Sequence, residues 1–420
     1  MFIVYDLIFL IFALIYLPVY LVRKKFHSGF LLRIGLLPGG LSLGKPIWIH
    51  AVSLGEVMAI KGLLEGLKGI SDKKFVISTV TATGNKIARS LASGADFVTY
   101  LPLDLGFIVK SVIDRINPSV FIIAETEIWP NLISYLYRKG IPIIIVNARI
   151  SDASFRGYLA VRFWLRPLLK KVSLFCAQSG RDAGRLLELA APADKVLTTG
   201  NMKFDIKEQK IERLADYKLR LGLSAGDKLL VAGSTHAGEE EIILDAYKDL
   251  QRDFPSLKLV IAPRHPERSN EVAQLAWRAG FRSVFISGAP TECPTCMSNP
   301  VFILDTVGEL ISFYALADIV FVGGSLIRKG GHNILEPASL AKPIIFGPHM
   351  FNFNDISTLF LQNNAAIMVR NQEELKTNIA ALLSDPIKAV DLGSLARQLI
   401  LQNQGATMKN LDCIRKFIVR

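Results

Sequence analysis

The feature that most constrains the fold is a regular alternation of short apolar runs with amphipathic stretches. The runs are rich in β-branched residues and nearly continuous, as in "KFVISTV", "PSVFIIAE" and "PIIIVNAR". Uninterrupted apolar runs of this length are typical of strands buried on both faces, and such strands occur in parallel sheets that helices cover. The alternation therefore predicts an α/β fold built from doubly wound parallel sheets.

The alternation breaks once, near Gly200 in "VLTTGNMKFD", and then resumes with "KLLVAGST", "KLVIAP", "VFILD", "DIVFVGG" and "KPIIFG". A chain of 420 residues is longer than one core usually holds. We therefore expect two α/β domains of similar size, closed by one helix over about 387–417. Ligands of open α/β sheets lie at the carboxyl ends of the strands. With two such sheets facing each other, we expect the site in the cleft between them.

The N-terminus carries an uncharged run from Leu7 to Val22, followed at once by Arg23, Lys24 and Lys25. A helix over residues 1–22 would be about 33 Å long, enough to cross the hydrocarbon core of a bilayer. A cleaved signal peptide would carry its basic residues before the run instead. The order predicts a membrane anchor with the rest of the chain on the cytoplasmic side, or alternatively a helix lying in the interface, since Pro18 interrupts the run.

Charge and composition narrow the classes of binding partner and of bound group that this chain is expected to have. The formal charge of +12 suits anionic lipid, a phosphorylated substrate or nucleic acid. Nucleic acid ranks last, because no zinc-finger, RRM or KH pattern is present. Cys293 and Cys296 form a lone CxxC that fits loop thiols better than a zinc or redox site, and the histidines lack metal-binding spacing. We expect neither a metal nor a cofactor.

The second half contains signals typical of nucleotide binding. In "DIVFVGGSLIRKGGHNILEPASL" a strand leads into glycines and then into a helix with an early carboxylate, Glu336. Glycines allow close approach of a ligand, and a helix start attracts phosphate. Alternatively, Asn333 and Glu336 only cap the helix. Arg264, at a strand end, could pair with an anion or face solvent, and Gly308 could contact a ligand or serve an ordinary turn.

The first half offers carboxylates at two strand ends. Glu56 follows the strand "PIWIHAV" with the S-x-x-E spacing of a capping box, so it could be a helix cap, a catalytic base or both. Glu125 and Glu127 follow the strand "PSVFIIAE". Two carboxylates at a strand end are costly without a cation, and Lys203 is the candidate partner. Alternatively, one of the two caps a helix and the other is solvated.

Together these segments resemble the 3-deoxy-D-manno-octulosonic acid (Kdo) transferases of lipopolysaccharide synthesis. The resemblance runs in order along nearly the whole chain. It includes the motifs "HAVSLGE", "LPLDL", "ETEIWPN", "NARIS", "GNMKFD", "STHAGEEE", "APRHPER", "DTVGEL", "FVGGSL", "GGHNILEPA" and "GPHMFNF". It implies a GT-B glycosyltransferase with two Rossmann-like domains. The implied organisation is an anchor over 1–25, an acceptor domain over 26–203 and a nucleotide-sugar domain over 204–420, whose last helix is a candidate to pack on the first domain.

The resemblance also implies the chemistry: inverting transfer of Kdo from CMP-Kdo to a lipid A precursor (lipid IVA), with release of CMP, at the cytoplasmic face of the inner membrane. Glu56 matches the general base, and Glu125 and Lys203 match the pair assigned to transition-state stabilisation. The residues that match the CMP-binding segments are Pro263, Arg264, Val307, Gly308, Glu309, Asn333, Ile334, Leu335 and Glu336. The alternatives are another GT-B nucleotide-sugar enzyme, such as an epimerase, or a membrane-tethered nucleotide-binding protein without catalysis.

Overall fold

The computed structural model describes residues 4–11, 15, 29–94, 96–206, 211–288 and 300–418. The chain divides into two compact units. The first unit comprises Met1–Asp205 with Asn403–Arg420, and the second comprises Ile206–Gln402. Each unit contains one parallel sheet of seven strands among the described residues.

The first sheet has the strand order β3-β2-β1-β4-β5-β6-β7. Its strands are β1 (Ile47–His50), β2 (Phe75–Thr79), β3 (Phe97–Tyr100), β4 (Val120–Ala124), β5 (Ile143–Ala148), β6 (Leu174–Ala177) and β7 (Val196–Thr198). The chain winds outward in one direction from β1 to β3 and returns to start again at β4, beside β1, where His50 pairs with Ile123. In doubly wound sheets this reversal is where strand ends leave a crevice for ligands.

Helices cover both faces of the first sheet. They are α1 (Phe30–Arg33), α2 (Leu54–Ala59), α3 (Lys61–Ile70), α4 (Ala82–Leu91), α5 (Gly106–Ile116), α6 (Pro130–Arg138), α7 (Asp152–Ala160), α8 (Arg162–Leu169) and α9 (Gly180–Glu188). Alternate strand residues enter two separate cores: Trp48 and Phe121 belong to one, Ile49 and Ile122 to the other. This explains why the strands read as continuous apolar runs.

The second sheet has the order β10-β11-β9-β8-β12-β13-β14 and reverses between β8 and β12. Its strands are β8 (Lys228–Thr235), β9 (Leu257–Pro263), β10 (Ser283–Phe285), β11 (Val301–Ile303), β12 (Ile319–Val322), β13 (Ile344–Phe346) and β14 (Ile367–Met368). The helices are α10 (Leu214–Arg220), α11 (Glu240–Asp253), α12 (Ser269–Arg278), α13 (Leu310–Leu316), α14 (Leu335–Ser339), α15 (Asn354–Gln362), α16 (Gln372–Ser384) and α17 (Pro386–Asn403).

The expectation of one closing helix is wrong, because the chain forms α17 and then α18 (Ala406–Ile418). Gly405 separates them with a φ of +92°, a conformation that glycine adopts without steric cost. The Asp205 carboxylate accepts hydrogen bonds from the backbone N–H groups of Gly405 (2.6 Å) and Thr407. α18 then packs its buried residues, among them Leu411 and Ile414, into the core of the first unit.

Most of the predicted N-terminal anchor lies outside the described residues. Residues 4–11 are helical, and Phe9 packs against a core of the first unit. The Asp6 carboxylate accepts hydrogen bonds from the Asn131 side chain (2.6 Å) and the Gly106 N–H. Within the described part of the chain, no helix combines the length and the apolar character needed to span a bilayer.

Candidate active site

Glu56 lies in the first turn of α2, directly after β1 at the sheet reversal. Its Oε2 accepts a hydrogen bond from the Val52 N–H (2.7 Å), and its Oε1 accepts one from the Ser53 hydroxyl (3.0 Å). Ser53, the N-cap residue, makes no side-chain bond to the helix N–H groups, and Glu56 binds the N–H of Val52, one residue before the N-cap, so neither bond of the expected capping box forms. The carboxylate therefore has a fixed position at the strand end.

Burial raises the pKa of Glu56 to about 7, the negative charge of Glu125 adds to this, and Glu127 contributes further. The hydrogen bonds from Val52 and Ser53 act in the opposite direction, because they favour the charged form. A carboxyl group with a pKa close to ambient pH is half available as a base and accepts protons more readily than an ordinary glutamate. The fixed position and the raised pKa thus suit Glu56 to the predicted role of a base.

Glu125 follows β4, the strand that pairs with β1 at the reversal. Its backbone has a φ of +58°, a region that glutamate rarely adopts, while its N–H donates to the Val146 carbonyl (2.9 Å). The side chain is bound by the Lys203 ammonium, with Nζ 2.9 Å from Oε1. Strained backbone that its surroundings enforce is typical of functional positions, and here it fixes the direction of a charged side chain.

Lys203 lies in a short 3₁₀ turn, Met202–Phe204, which the first sheet positions. The Met202 N–H donates to the side-chain oxygen of Asn147 at the end of β5 (2.9 Å), and the Lys203 N–H donates to that of Asn201 (3.0 Å). The first unit therefore brings the sequence-predicted Glu56, Glu125 and Lys203 to the same edge of one sheet. Glu127 belongs to the same group of side chains. Its pKa is raised chiefly by burial and in part by the charge of Glu125, which is therefore close enough to interact with it.

In the second unit, Arg264 and Glu336 lie at the carboxyl edge of the sheet. Arg264 is exposed, directly after β9, and its N–H donates to the Thr235 carbonyl (2.9 Å). Burial raises the pKa of Glu336, whereas a hydrogen bond from the Asn333 amide (3.1 Å) and the charge of Arg264 oppose the shift. Pro263 ends β9, and Ile334 and Leu335 are buried beneath the Asn333–Glu336 pair.

The backbone N–H groups of the loop after β12 are occupied by a side chain of the protein itself. The buried Glu239 carboxylate accepts the N–H groups of Gly324 (2.6 Å), Ser325 (2.9 Å) and Leu326 (2.9 Å), and that of His236 (3.1 Å). The Glu239 carboxylate thus occupies the position where these N–H groups could otherwise bind an anionic ligand. Gly323 is required there for another reason: a Cβ would lie 2.5 Å from the Ser234 carbonyl oxygen.

The segment Val307–Glu309 follows β11 at the same edge. Val307 is exposed and Gly308 has a φ of +92°, so backbone and side chain are open at this turn. The Glu309 carboxylate is already engaged, since it accepts hydrogen bonds from the Tyr217 hydroxyl (2.7 Å) and the Thr306 hydroxyl. The parts of this segment left to contact a ligand are therefore Val307 and the Gly308 backbone.

Two histidines that the sequence reasoning did not single out lie at this edge. His236 and His332 are joined Nε2 to Nε2 at 2.9 Å, so one ring donates and the other accepts. Burial lowers both pKa values to about 4, and the next contributions come from His265 for His236 and from His236 for His332. The sequence signal that could have identified these histidines was their position. His236 follows β8 and His332 precedes α14, on the two sides of the sheet reversal.

No group of three or more potential ligands that could hold a metal ion occurs in the part of the chain that the structure describes. Cys293 and Cys296, the lone CxxC, lie outside that part.

Comparison with known proteins places these observations in a family. A family profile described as 3-deoxy-D-manno-octulosonic-acid transferase (kdotransferase) matches residues 28–206. A 3-deoxy-D-manno-octulosonic acid transferase of Haemophilus influenzae is 35% identical over 377 residues, covering 89% of this chain and 87% of the relative. One of Bordetella pertussis is 30% identical over 392 residues, covering 90% and 88%.

Solved structures share the fold at low identity. A UDP-GlcNAc 2-epimerase from Neisseria meningitidis bound to UDP-GlcNAc has a TM-score of 0.59 and 13% identity, covering 88% of this chain and all of that one. A glycosyltransferase from Rickettsia africae has a TM-score of 0.56 and 17% identity, covering 89% and 99%. The two Rossmann-like units are those of the GT-B fold.

Proposed function

Because the chain belongs to the 3-deoxy-D-manno-octulosonic acid transferase family and is a glycosyltransferase of lipopolysaccharide biosynthesis, we propose that it transfers Kdo from CMP-Kdo to a lipid A precursor, lipid IVA. The first unit binds the acceptor and the second binds the donor. The observation that carries this proposal is the position of Glu56: a fixed carboxylate with a pKa of about 7, beside the Glu125–Lys203 ion pair.

In the proposed reaction, Glu56 removes the proton from an acceptor hydroxyl. The hydroxyl oxygen then attacks the anomeric carbon of Kdo while the bond from that carbon to the CMP phosphate oxygen breaks. The attack and the departure occur on opposite faces, so the configuration inverts. Lys203, held by Glu125, supplies positive charge where negative charge develops, which is effective because the group is positioned beforehand.

In the second unit we assign donor binding to three segments after strand ends: Pro263–Arg264, Val307–Glu309 and Asn333–Glu336. Arg264 offers an exposed guanidinium for the phosphate, with the geometry for charge-assisted hydrogen bonds. Glu336, oriented by Asn333, is suited to accept hydrogen bonds from ribose hydroxyls. We propose that the reaction needs no metal, since a CMP leaving group carries a single phosphate that these groups can neutralise.

The test compares the parent protein with Glu56→Gln, using CMP-Kdo with and without lipid IVA and measuring CMP release and Kdo-lipid formation. Glutamine keeps the local structure, because its carbonyl can accept the Val52 N–H and its amide can donate to Ser53. It cannot take a proton. We expect turnover to fall about 100-fold or more, in line with lost general-base catalysis. CMP affinity and the melting temperature should stay near the parent values.

Two results would contradict the proposal. Turnover of Glu56→Gln close to that of the parent would reduce Glu56 to a helix cap, and Glu125→Gln would then be assayed as the next candidate. CMP release at the same rate without acceptor would indicate a hydrolase or epimerase-type activity.

We also propose that the protein works at the cytoplasmic face of the inner membrane, with the N-terminal apolar segment as its anchor. The support is the order of the apolar run and the basic cluster Arg23–Lys25.

A further inference from the structure

The helices α7 and α8, residues 152–169, form a surface hairpin with little cover. None of the residues of α7 is buried. α8 buries only Leu165, Leu168 and Leu169, which lie on one side of the helix and pack into the first unit. A helix normally forms in a globular protein because an apolar face is covered. The exposed surface of this hairpin is therefore where an external partner is to be sought.

That exposed surface is apolar and aromatic at its centre. Phe163 is 83% exposed and Trp164 is 59% exposed, and their rings pack edge to face with centroids 6.0 Å apart. Leu159 and Val161 are exposed beside them. A single exposed apolar side chain is ordinary on a soluble surface, whereas a contiguous group that includes Trp and Phe marks an interaction site.

Basic side chains flank the aromatic pair. Arg162, Arg166 and Lys170 are all exposed. Within the described residues, no ion pair engages Arg162 or Arg166. Asp152 is the hairpin's only acidic residue, and it is paired with Arg181 and Arg185. The surface therefore presents unneutralised positive charge around an apolar centre.

The charge of the whole unit has the same sign. The first unit holds 29 Lys and Arg against 15 Asp and Glu, a formal charge of +14, while the second holds 20 against 22. The hairpin also lies beside the candidate acceptor site. Tyr158 of α7 packs against the core of this unit, and its pKa is raised by burial and by the charge of Glu127.

We propose that the α7–α8 hairpin docks on an anionic lipid bilayer, with Phe163 and Trp164 inserted at the interface and the flanking Arg and Lys side chains on the headgroups. Amphipathic helices with Trp or Phe on one side and Arg or Lys around it bind membranes in this way. The inference extends the proposed function: a surface beside Glu127 that contacts the bilayer would bring the first unit's site to a lipid-borne acceptor.

A second copy of the chain is a poorer occupant. In a twofold dimer the same patch faces itself, so Arg162, Arg166 and Lys170 would meet their own copies. Facing like charges oppose association, whereas anionic headgroups neutralise them.

The chain offers a matched pair of exposed tryptophans for the test. Trp164 lies in the hairpin, and Trp277 of α12, in the second unit, is 76% exposed. The full-length variants Trp277→Phe and Trp164→Phe each keep one of them. Both are mixed with phosphatidylglycerol–phosphatidylcholine vesicles whose acyl chains carry bromine, which quenches tryptophan fluorescence only at contact distance. We expect quenching in Trp277→Phe, which retains Trp164, and little in Trp164→Phe.

A second measurement follows the consequence for catalysis. In the full-length variant Phe163→Ser/Trp164→Ser, transfer to acceptor embedded in anionic vesicles should fall about tenfold or more, because two apolar anchors are lost. Transfer to acceptor in detergent micelles and CMP affinity should stay near parental. The control Trp277→Ser should match the parent in every assay.

Equal quenching of Trp277→Phe and Trp164→Phe, or none in either, would overturn the proposal. The proposal would also be overturned if the parent dimerised in a concentration-dependent way and the Phe163→Ser/Trp164→Ser change abolished the dimer, because a second copy would then cover the patch. The quenching result is independent of enzymatic activity. If the parent failed to transfer Kdo at all, the proposed function would fail while the lipid contact would still be decided.

Discussion

As the proposed base, Glu56 should make the activity sensitive to pH in a predictable direction. Its pKa of about 7 arises first from burial and second from the charge of Glu125. As a base it must be deprotonated, so kcat/KM for transfer should rise about tenfold per pH unit below pH 7 and level off above it. Folding responds oppositely: the group's contribution to stability is complete below about pH 4.5 and is lost as the pH rises to about 7.

Glu125→Gln tests the origin of that pKa. Removing the negative charge should lower the pKa of Glu56, so the rising limb of the pH–rate profile should move to lower pH, even though the maximal rate also falls with loss of the Lys203 pair. Glu127→Gln is the matched control and should move the limb less, because Glu127 is the weakest of the contributors. An unmoved limb in Glu125→Gln would show that Glu56 is not the titrating base.

Glu239 links two separate turns of the second unit. Its carboxylate binds the N–H groups of Gly324, Ser325 and Leu326 and also that of His236, and it is fully buried. Glu239→Gln places an NH2 group where the site needs an acceptor, and an unsatisfied buried donor costs about 1–3 kcal/mol. We expect a lower melting temperature and several-fold weaker CMP binding by calorimetry, with Glu241→Gln, an exposed neighbour, unchanged. Parental CMP affinity in Glu239→Gln would separate this loop from donor binding.

The break between α17 and α18 depends on the backbone of Gly405. A Cβ there would meet no atom within 4 Å, so Gly405→Ala tests the left-handed conformation alone. That conformation costs a non-glycine residue roughly 1–2 kcal/mol, and the denaturation midpoint of the first unit should fall accordingly. Gly69→Ala, in α3 of the same unit and equally open, should instead stabilise by up to about 1 kcal/mol. Equal effects of the two changes would remove the special role of Gly405.

The elements that could be predicted from sequence are those whose signal is local. Most central strands are continuous β-branched runs and were identified. β6 was not, because "LFCA" is short and has no β-branched residue, and neither were β7 and β14, which are short, incompletely buried edge strands. Glu125 and Lys203 could be paired because uncompensated charges at a strand end are costly. Glu239 could not be found, because "GEEE" indicates a solvated helix start and three of its four N–H partners lie 85 to 87 residues further along the chain.

At the scale of the whole molecule, charge is divided between the units as the proposed substrates would require. The first unit has the formal charge of +14 and holds both Lys203 and the α7–α8 hairpin, while the second is close to neutral. The proposed donor site in that second unit would therefore depend on local groups such as Arg264 rather than on a long-range positive field. Ionic strength should accordingly affect vesicle binding strongly and CMP affinity weakly.

The same division predicts where CMP acts on the chain. If the donor site is built from the segments after β9, β11 and β12, CMP should slow amide hydrogen exchange at residues 263–264, 307–309 and 333–336. At a concentration of about 100 times Kd, the slowing of amides ordered by the ligand should approach about 100-fold. The loops at 52–56 and 125–127 should exchange as before, because they belong to the unit proposed to bind the acceptor. Arg264→Ala should show the same pattern only at higher CMP concentration, since a charge-assisted contact is lost. Protection centred on the strand ends of the first sheet would instead place the nucleotide there and reverse the assignment of donor and acceptor units.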